Sequence, residues 1–304
     1  MLDLPRCCAA EITITHPIGP LVLGPVLGWV PQPDDHPLRD QVLDVFLFRL
    51  RVMLDRKPEI LYASATALVF GLTPWAVLKI SDRPDSEDIC NMAYITANVP
   101  EVPVPAILGA FRGAGRHWVF MARVPGERLN TIWTKLTPMQ KLSVQGQLNT
   151  AFAALARYER PPQGPCSRLG SVAAGICRDA LRKSRASLGS IPTEMVFNDF
   201  LCDTLDPRVK RWLRHIRAGM RNDHRIVLTH GNLHPRNILV KVTAILGWER
   251  AGWYPDYWDY VRAMSATEGP LNNALDDWID FLPTELRAWF QRRDVTLEAR
   301  SRWR

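Results

Sequence analysis

The chain has 304 residues, 47% of them hydrophobic and 23% charged, the composition of a soluble globular protein long enough for one large domain or two lobes. Its formal net charge of +7 suits a phosphate-bearing partner and a well-solvated surface equally, so charge alone selects neither. Cys7, Cys8, Cys90, Cys166, Cys177 and Cys202 include no pair separated by two residues, which excludes zinc-finger and thioredoxin-type spacings. An intracellular, reduced, cytoplasmic chain is the simpler expectation.

The start, Met-Leu-Asp-Leu-Pro-Arg, lacks the basic region that opens a secretory signal. The apolar stretch Ile12 to Val30 is interrupted by Pro17, Pro20, Pro25, Gly19, Gly24 and Gly28, so it reads as part of an irregular segment over 1–37, not a membrane span. Residues 38–57 place Leu38, Val42, Val45, Phe46, Leu50 and Met53/Leu54 at helical spacing. Short apolar runs follow at Ile60–Tyr62, Ala67–Phe70, Trp75–Ile80, Ala106–Phe111 and His117–Arg123, with one helix over about Asp85–Asn98. They predict a small, mostly antiparallel sheet. Thr137-Pro138 is an N-cap followed by an N1 proline and opens a helix to about Tyr158. Residues 161–192 read as a long connection, 193–221 as helix, 226–246 as two apolar runs around a polar loop, and the chain from Leu271 as helix ending in Arg287, Arg292, Arg293, Arg300, Arg302 and Arg304.

That polar loop is Leu228-Thr229-His230-Gly231-Asn232-Leu233-His234-Pro235-Arg236-Asn237-Ile238-Leu239-Val240. His230, Asn232 and Asn237 have the spacing of a kinase catalytic loop, in which one end presents a carboxylate to the acceptor hydroxyl and the other turns an amide oxygen to magnesium. Its bland counterpart is a polar loop between two strands. A second ordered stretch follows, Ile245-Leu246-Gly247-Trp248-Glu249-Arg250-Ala251-Gly252-Trp253-Tyr254-Pro255-Asp256-Tyr257-Trp258-Asp259-Tyr260.

Together these segments resemble the aminoglycoside phosphotransferase family, in particular its fungal small-molecule-kinase-like branch, where His-Gly-Asp-Leu-His-Pro-Arg-Asn is followed by Ile-Ile-Asp-Trp-Glu and Ala-Gly-Trp-Tyr-Pro. Upstream, Leu78-Lys79-Ile80, Glu87 with Asn91-Met92, Pro103-Val104-Pro105 and Phe120-Met121 leading to Pro125-Gly126-Glu127 extend the resemblance. It implies an α+β, two-lobed protein-kinase-like fold: a small antiparallel-sheet N-lobe over 38–124 and a larger, mostly helical C-lobe over 125–304 containing the catalytic-loop remnant 228–250. By the same resemblance Lys79 touches nucleotide phosphates, Glu87 is its ion-pair partner, and Met121 to Val124, including Arg123, form the hinge that meets adenine. ATP and Mg2+ are the cofactors implied, with a small-molecule hydroxyl as acceptor. No membrane partner is expected, and nucleic acid is disfavoured.

Two positions break the family pattern. Asn232 stands where the catalytic aspartate belongs, and a neutral amide has no comparable basicity. Gly247 stands where the metal-binding aspartate belongs, leaving Asn237 as a neutral ligand. Only Lys241, Val242 and Thr243 separate Val240 from Ala244, a shorter turn than relatives use, and Ala63–Gly71 lacks a glycine-rich phosphate cradle. His230 reads as a loop buttress more readily than as a proton-transfer group; His234 has phosphate-contacting and packing readings, and the Trp248, Trp253, Tyr254, Tyr257, Trp258 cluster reads as core. Three functions follow from these observations. The first is a degenerate phosphotransferase that holds nucleotide or a small molecule, or serves another role. The second is an active kinase using Asn237 with a relocated carboxylate such as Glu249 or Asp256. The third, an anionic-surface or nucleic-acid binding module, requires Lys and Arg clustered on one face.

Overall fold

Alternating apolar residues in the runs between Ile60 and Ala122 build an antiparallel sheet. The computed structural model describes residues 12–28, 40–64, 66–82, 87–161, 168–172, 175–178, 186–204, 206–264 and 273–286. Two units divide the chain: Met1–Ile89 with Pro105–Val124, and Cys90–Val104 with Pro125–Arg304. The first unit contains β1 (Thr13–His16), α1 (Pro20–Leu27), α2 (Asp40–Asp55), β2 (Ile60–Ala63), β3 (Ala67–Gly71), β4 (Ala76–Ser81), β5 (Ile107–Gly113) and β6 (Arg116–Ala122), whose strands run in the order β1-β5-β6-β4-β3-β2.

Side-chain alternation gives this sheet two distinct faces. Leu78 pairs with Phe120 and Ile80 with Trp118; all four join Phe70 and Phe111 in a core closed by Leu43, Phe46, Leu50 and Leu54 of α2 and Val22, Leu23, Val26 and Leu27 of α1. The intervening residues Val77 and Lys79 pair with Met121 and Val119, so they share the opposite face. Val119 and Met121 pack there with Ile89, Ala110 and Ile107.

The N-terminal segment departs from expectation. Within the stretch read as irregular, Thr13–His16 is a strand pairing with β5, and Pro20–Leu27 is a helix with a proline in its first turn and Gly28 at its C-terminus in the left-handed region, φ 81°. These are helix start and stop signals that the density of Pro and Gly concealed. None of the described helices is long and apolar enough to cross a membrane.

In the second unit most of α3 (Glu87–Asn98) is followed by α4 (Leu129–Ile132), α5 (Pro138–Arg157), α6 (Glu194–Cys202), α7 (Pro207–Gly219) and α8 (Trp258–Met264), with β7 (Gly170–Ser171), β8 (Ile226–Thr229) and β9 (Gly252–Pro255) forming a sheet in the order β7-β9-β8. Thr137 and Gln140 close a capping box at the start of α5, satisfying two N-terminal amides reciprocally. The helix read over 193–221 is two helices, because Asp206 caps a second start with Pro207 at its first position. Of the two runs read over 226–246 only the first is a strand; the second makes isolated bridges, Ile238 to Ile245 and Leu239 to Arg128. The arginine-rich end from Arg287 on lies outside the described residues. The aromatic cluster is packed as core: Tyr254 stacks on Trp258, and Phe197 meets both edge-on.

Candidate functional site

The loop after β8 is built from the backbone outward. Burial pushes the His230 imidazole down to about 4, so it is neutral at pH 7. Its Nε2 lies 2.9 Å from the Leu246 carbonyl and its Nδ1 accepts from the Asn232 amide at 3.2 Å, an arrangement that fits the Nε2–H tautomer. The ring packs against Trp248 at 4.5 Å between centroids. Both nitrogens are engaged by backbone, which makes His230 a brace for the loop and leaves no free nitrogen for proton transfer.

From α8, Asp259 accepts the His230 amide at 3.0 Å and the Gly231 amide at 2.7 Å. Arg262 Nε donates to the Gly231 carbonyl at 3.2 Å. Gly231 has φ 68°, and a Cβ there would lie 2.3 Å from the Arg250 carbonyl oxygen, so no other residue fits. Asn91 of α3 is fully buried and holds the following segment, its Nδ2 donating to the Trp248 carbonyl at 2.9 Å while its Oδ1 accepts the Val172 amide at 3.2 Å.

At the far end, His234 caps the short turn Pro235–Asn237 by accepting the Arg236 amide at 3.0 Å. Burial first and the Arg236 charge second push its imidazole down to about 3. Asn237 Nδ2 donates to the Asn232 carbonyl at 2.8 Å. Asn232 Nδ2 donates to Glu249 Oε1 at 3.1 Å. Gly247 adopts φ 84°, ψ 41°, and a Cβ at this position would stand 2.8 Å from Asn237 Nδ2 and 3.1 Å from Asn232 Nδ2. Two amide NH2 groups therefore converge where the family's metal carboxylate would begin.

Magnesium needs oxygen ligands with lone pairs directed at it, and these NH2 groups are donors. Among the described residues no group of three or more His, Cys, Asp or Glu is arranged to hold a metal ion. The residues present do not fit the ion that the resemblance implies.

The shortened turn is strained. Lys241 and Val242 have φ 61° and φ 45°, while Leu239 N donates to the Ala244 carbonyl at 3.0 Å and Leu246 N to the Asn237 carbonyl at 2.7 Å. Left-handed backbone costs a non-glycine residue about 1–2 kcal/mol. Exposed Lys241 can shed this cost: Lys241→Gly is expected to raise the unfolding free energy by about 1 kcal/mol, which chemical denaturation measures directly.

On the face of the first unit's sheet opposite α1 and α2, Lys79 Nζ lies 3.2 Å from Asp88 Oδ2. Sequence reading gave this ion pair to Glu87; the structure gives it to the next residue, about 100° further round α3, and Glu87 is buried. Asp88 is further fixed by the Ile89 amide at 2.9 Å. Met121 packs beside Lys79's strand, as above. In the segment read as the hinge, the Arg123 amide donates to the Trp75 carbonyl at 2.8 Å and its Nη2 pairs with Glu59 at 2.6 Å.

Asp256, the other relocated carboxylate considered, belongs to a different cluster with His224, Arg225 and Glu194. Burial pushes its carboxyl up to about 6, and its Oδ1 has no hydrogen-bond partner. A raised carboxyl stabilises the fold below the unfolded-state value near 4 and loses that contribution as pH rises through about 6. Asp256→Asn is therefore expected to match the wild type near pH 4 and exceed it by about 1–2 kcal/mol at pH 7, the partial exposure of the group having been allowed for. Unfolding titrations at the two pH values check this.

Sequence reasoning assigned no role to Asp88, Asn91 or Asp259. The signal for Asp259 was a lone carboxylate inside the aromatic run Tyr257-Trp258-Asp259-Tyr260, a place where an acid needs partners to be buried.

The sequence profile of the phosphotransferase enzyme family matches residues 76–298. No curated protein matches the chain. Among solved structures, a thermostable mutant of aminoglycoside phosphotransferase APH(4)-Ia in its apo form is 14% identical, with 82% of this chain and 86% of that one covered and a TM-score of 0.54. ADP-bound APH(2'')-Ib is 12% identical over 83% and 85%, TM-score 0.53, and APH(2'')-IIa in ternary complex with streptomycin and ATP is 11% identical over 83% and 84%, TM-score 0.51. At these identities the structures establish the shared kinase-like fold. The family profile spans most of the chain, and the protein belongs to the phosphotransferase enzyme family.

Proposed function

We propose that this chain is a degenerate phosphotransferase, a pseudokinase of the fungal small-molecule-kinase-like branch, which has given up magnesium-dependent phosphoryl transfer and retains the fold to hold a nucleotide or another small molecule in the cytoplasm. The observation that carries this reading is the convergence of the Asn232 and Asn237 amides on Gly247: the base is neutral, the metal carboxylate is gone, and the space for its side chain is taken. Nucleotide binding is supported by the Lys79–Asp88 pair and by relatives of this fold solved with ADP, AMP-PNP or ATP.

The test is a thermal-shift titration with ATP and ADP in magnesium and in EDTA, run beside an assay for phosphate release. A ligand at a hundred times its Kd stabilises the folded state by about 2.7 kcal/mol. The reading expects equal shifts in both buffers, no turnover, and loss of the shift in Lys79→Ala. Magnesium-dependent turnover would refute it.

One contact favours a second reading, an active kinase. Glu249 Oε1 lies 3.1 Å from Asn232 Nδ2, which sets a relocated carboxylate beside the loop that carries Asn237. Phosphoryl transfer depends mainly on positioning and electrostatics, so this arrangement predicts magnesium-dependent turnover that Glu249→Gln abolishes.

A further inference from the structure

We propose that the outer face of α7 docks the protein peripherally onto an anionic phospholipid layer. Buried Leu213 and Ile216 pack α7 into the second unit, and between Pro207 and Gly219 the sequence contains no acidic residue. The acids around it are already spent: Asp206 pairs with Arg208, Asp199 with Arg217 and Asp223 with Arg221. Lys210, Arg211 and Arg214 are exposed, and among the described residues they make no ion pair. Lys210 and Arg211 stand four and three residues before Arg214, and exposed His215 four after Arg211, so they share one broad helix face.

This arrangement works against the helix that carries it. Like charges at these spacings repel, and Lys210 and Arg211 lie in the first turns, where the helix dipole is positive and disfavours cations. Among the described residues no carboxylate pairs with the three charges, which leaves them available to an external anion. Lipid is favoured over other polyanions by what adjoins the row. Arg217 donates from Nη2 to the Met195 carbonyl at 3.2 Å, which joins the end of the row to the start of α6, where Met195 is 52% and Val196 37% exposed. Cations beside exposed apolar side chains match a layer that offers phosphates over an apolar boundary. Trp212, the aromatic residue of α7, is half-buried and not presented for base stacking.

The inference is independent of the nucleotide reading, and its test contains no nucleotide. Full-length protein is sedimented with vesicles of phosphatidylcholine alone or mixed with phosphatidylserine, in low and high salt. Binding is expected to the mixed vesicles alone and to fall on raising salt from about 0.05 to about 0.5 M, as the screening length shrinks. Each cation near such a surface contributes about fivefold, so Lys210→Gln/Arg211→Gln/Arg214→Gln weakens binding about a hundredfold. Its unfolding midpoint stays unchanged or rises, since repulsion within α7 is relieved. Met195→Ser/Val196→Ser weakens the binding that remains in salt. The proposal is overturned if the wild type does not sediment with mixed vesicles, if the triple variant sediments like the wild type, or if that variant unfolds earlier, which would make the charges structural. Capture of duplex DNA without vesicle binding would reassign the face to nucleic acid and overturn it too.

Discussion

Asp259→Ala is expected to lower the unfolding free energy by about 3–5 kcal/mol at pH 7. Its carboxylate accepts the His230 and Gly231 amides while buried to 3% exposure. Truncation leaves both amides without an acceptor, at about 1–3 kcal/mol each, and removes the negative charge that Arg262 favours. Burial pushes this carboxyl up to about 6 against the two donors and Arg262, which favour its ionised form. Its raised value adds to the Asp256 effect: stability is full below about pH 4 and declines as pH rises through about 6. Asp259→Asn keeps one acceptor, so it should lose about 1–2 kcal/mol and remove this part of the pH slope. Denaturant unfolding of the three proteins at pH 4, 6 and 7.5 is the measurement; an alanine variant within 1 kcal/mol of wild type, a loss about the size of one ordinary hydrogen bond, would show that α8 does not brace the loop.

Restoring both family carboxylates is expected to make the protein respond to divalent cations. In Asn232→Asp/Gly247→Asp the two new carboxylates crowd against Glu249, and position 247 keeps its left-handed φ of 84°, a conformation that aspartate tolerates better than most residues. Without metal, repulsion and the displaced Asn237 amide should cost about 2 kcal/mol of stability. Millimolar magnesium should recover that loss, and a nucleotide-induced thermal shift should become magnesium-dependent. Gly247→Asp alone should show the cost without the recovery, since the Asn232 amide still presents a donor to the site. A double variant indifferent to magnesium would mean that the strained turn at Lys241 and Val242 has moved position 247 out of register with Asn237.

The kinase-like architecture was legible because its motifs are long and ordered and because hydrophobic periodicity separated sheet from helix. The losses at Asn232 and Gly247 were legible as residue types, but their geometry was not. Which way two amide groups turn depends on acceptors, the Asn232 carbonyl and Glu249, that come together only in three dimensions. Glu87 and Asp88 are adjacent acids at the start of one helix, and only the rotation of that helix against β4 decides which one meets Lys79. The partner of the Arg123 amide was hidden for a similar reason, since a backbone donor at a strand end belongs to whichever neighbour reaches it first, here Trp75. In the N-terminal segment a continuous tally of prolines and glycines hid their order. A proline entering a helix and a glycine leaving it are punctuation, and Pro20 and Gly28 stand in those places.

The interleaving of the two units along the chain sets the order in which the protein can assemble as it is synthesised. Among the described strands β1 pairs with β5 alone, Thr13 opposite Arg112, so once synthesised it waits for nearly the last strand of its sheet. Between them comes α3, whose buried Asn91 has its acceptor at Trp248. Contacts so distant in sequence are slow to close, and until they do the apolar faces of α1 and α2 and the unpaired side of β5 stay open to other chains. Nascent chains stalled before residue 105 should therefore be chaperone-bound, and chains that have passed Val124 should release their first unit while the second is still incomplete.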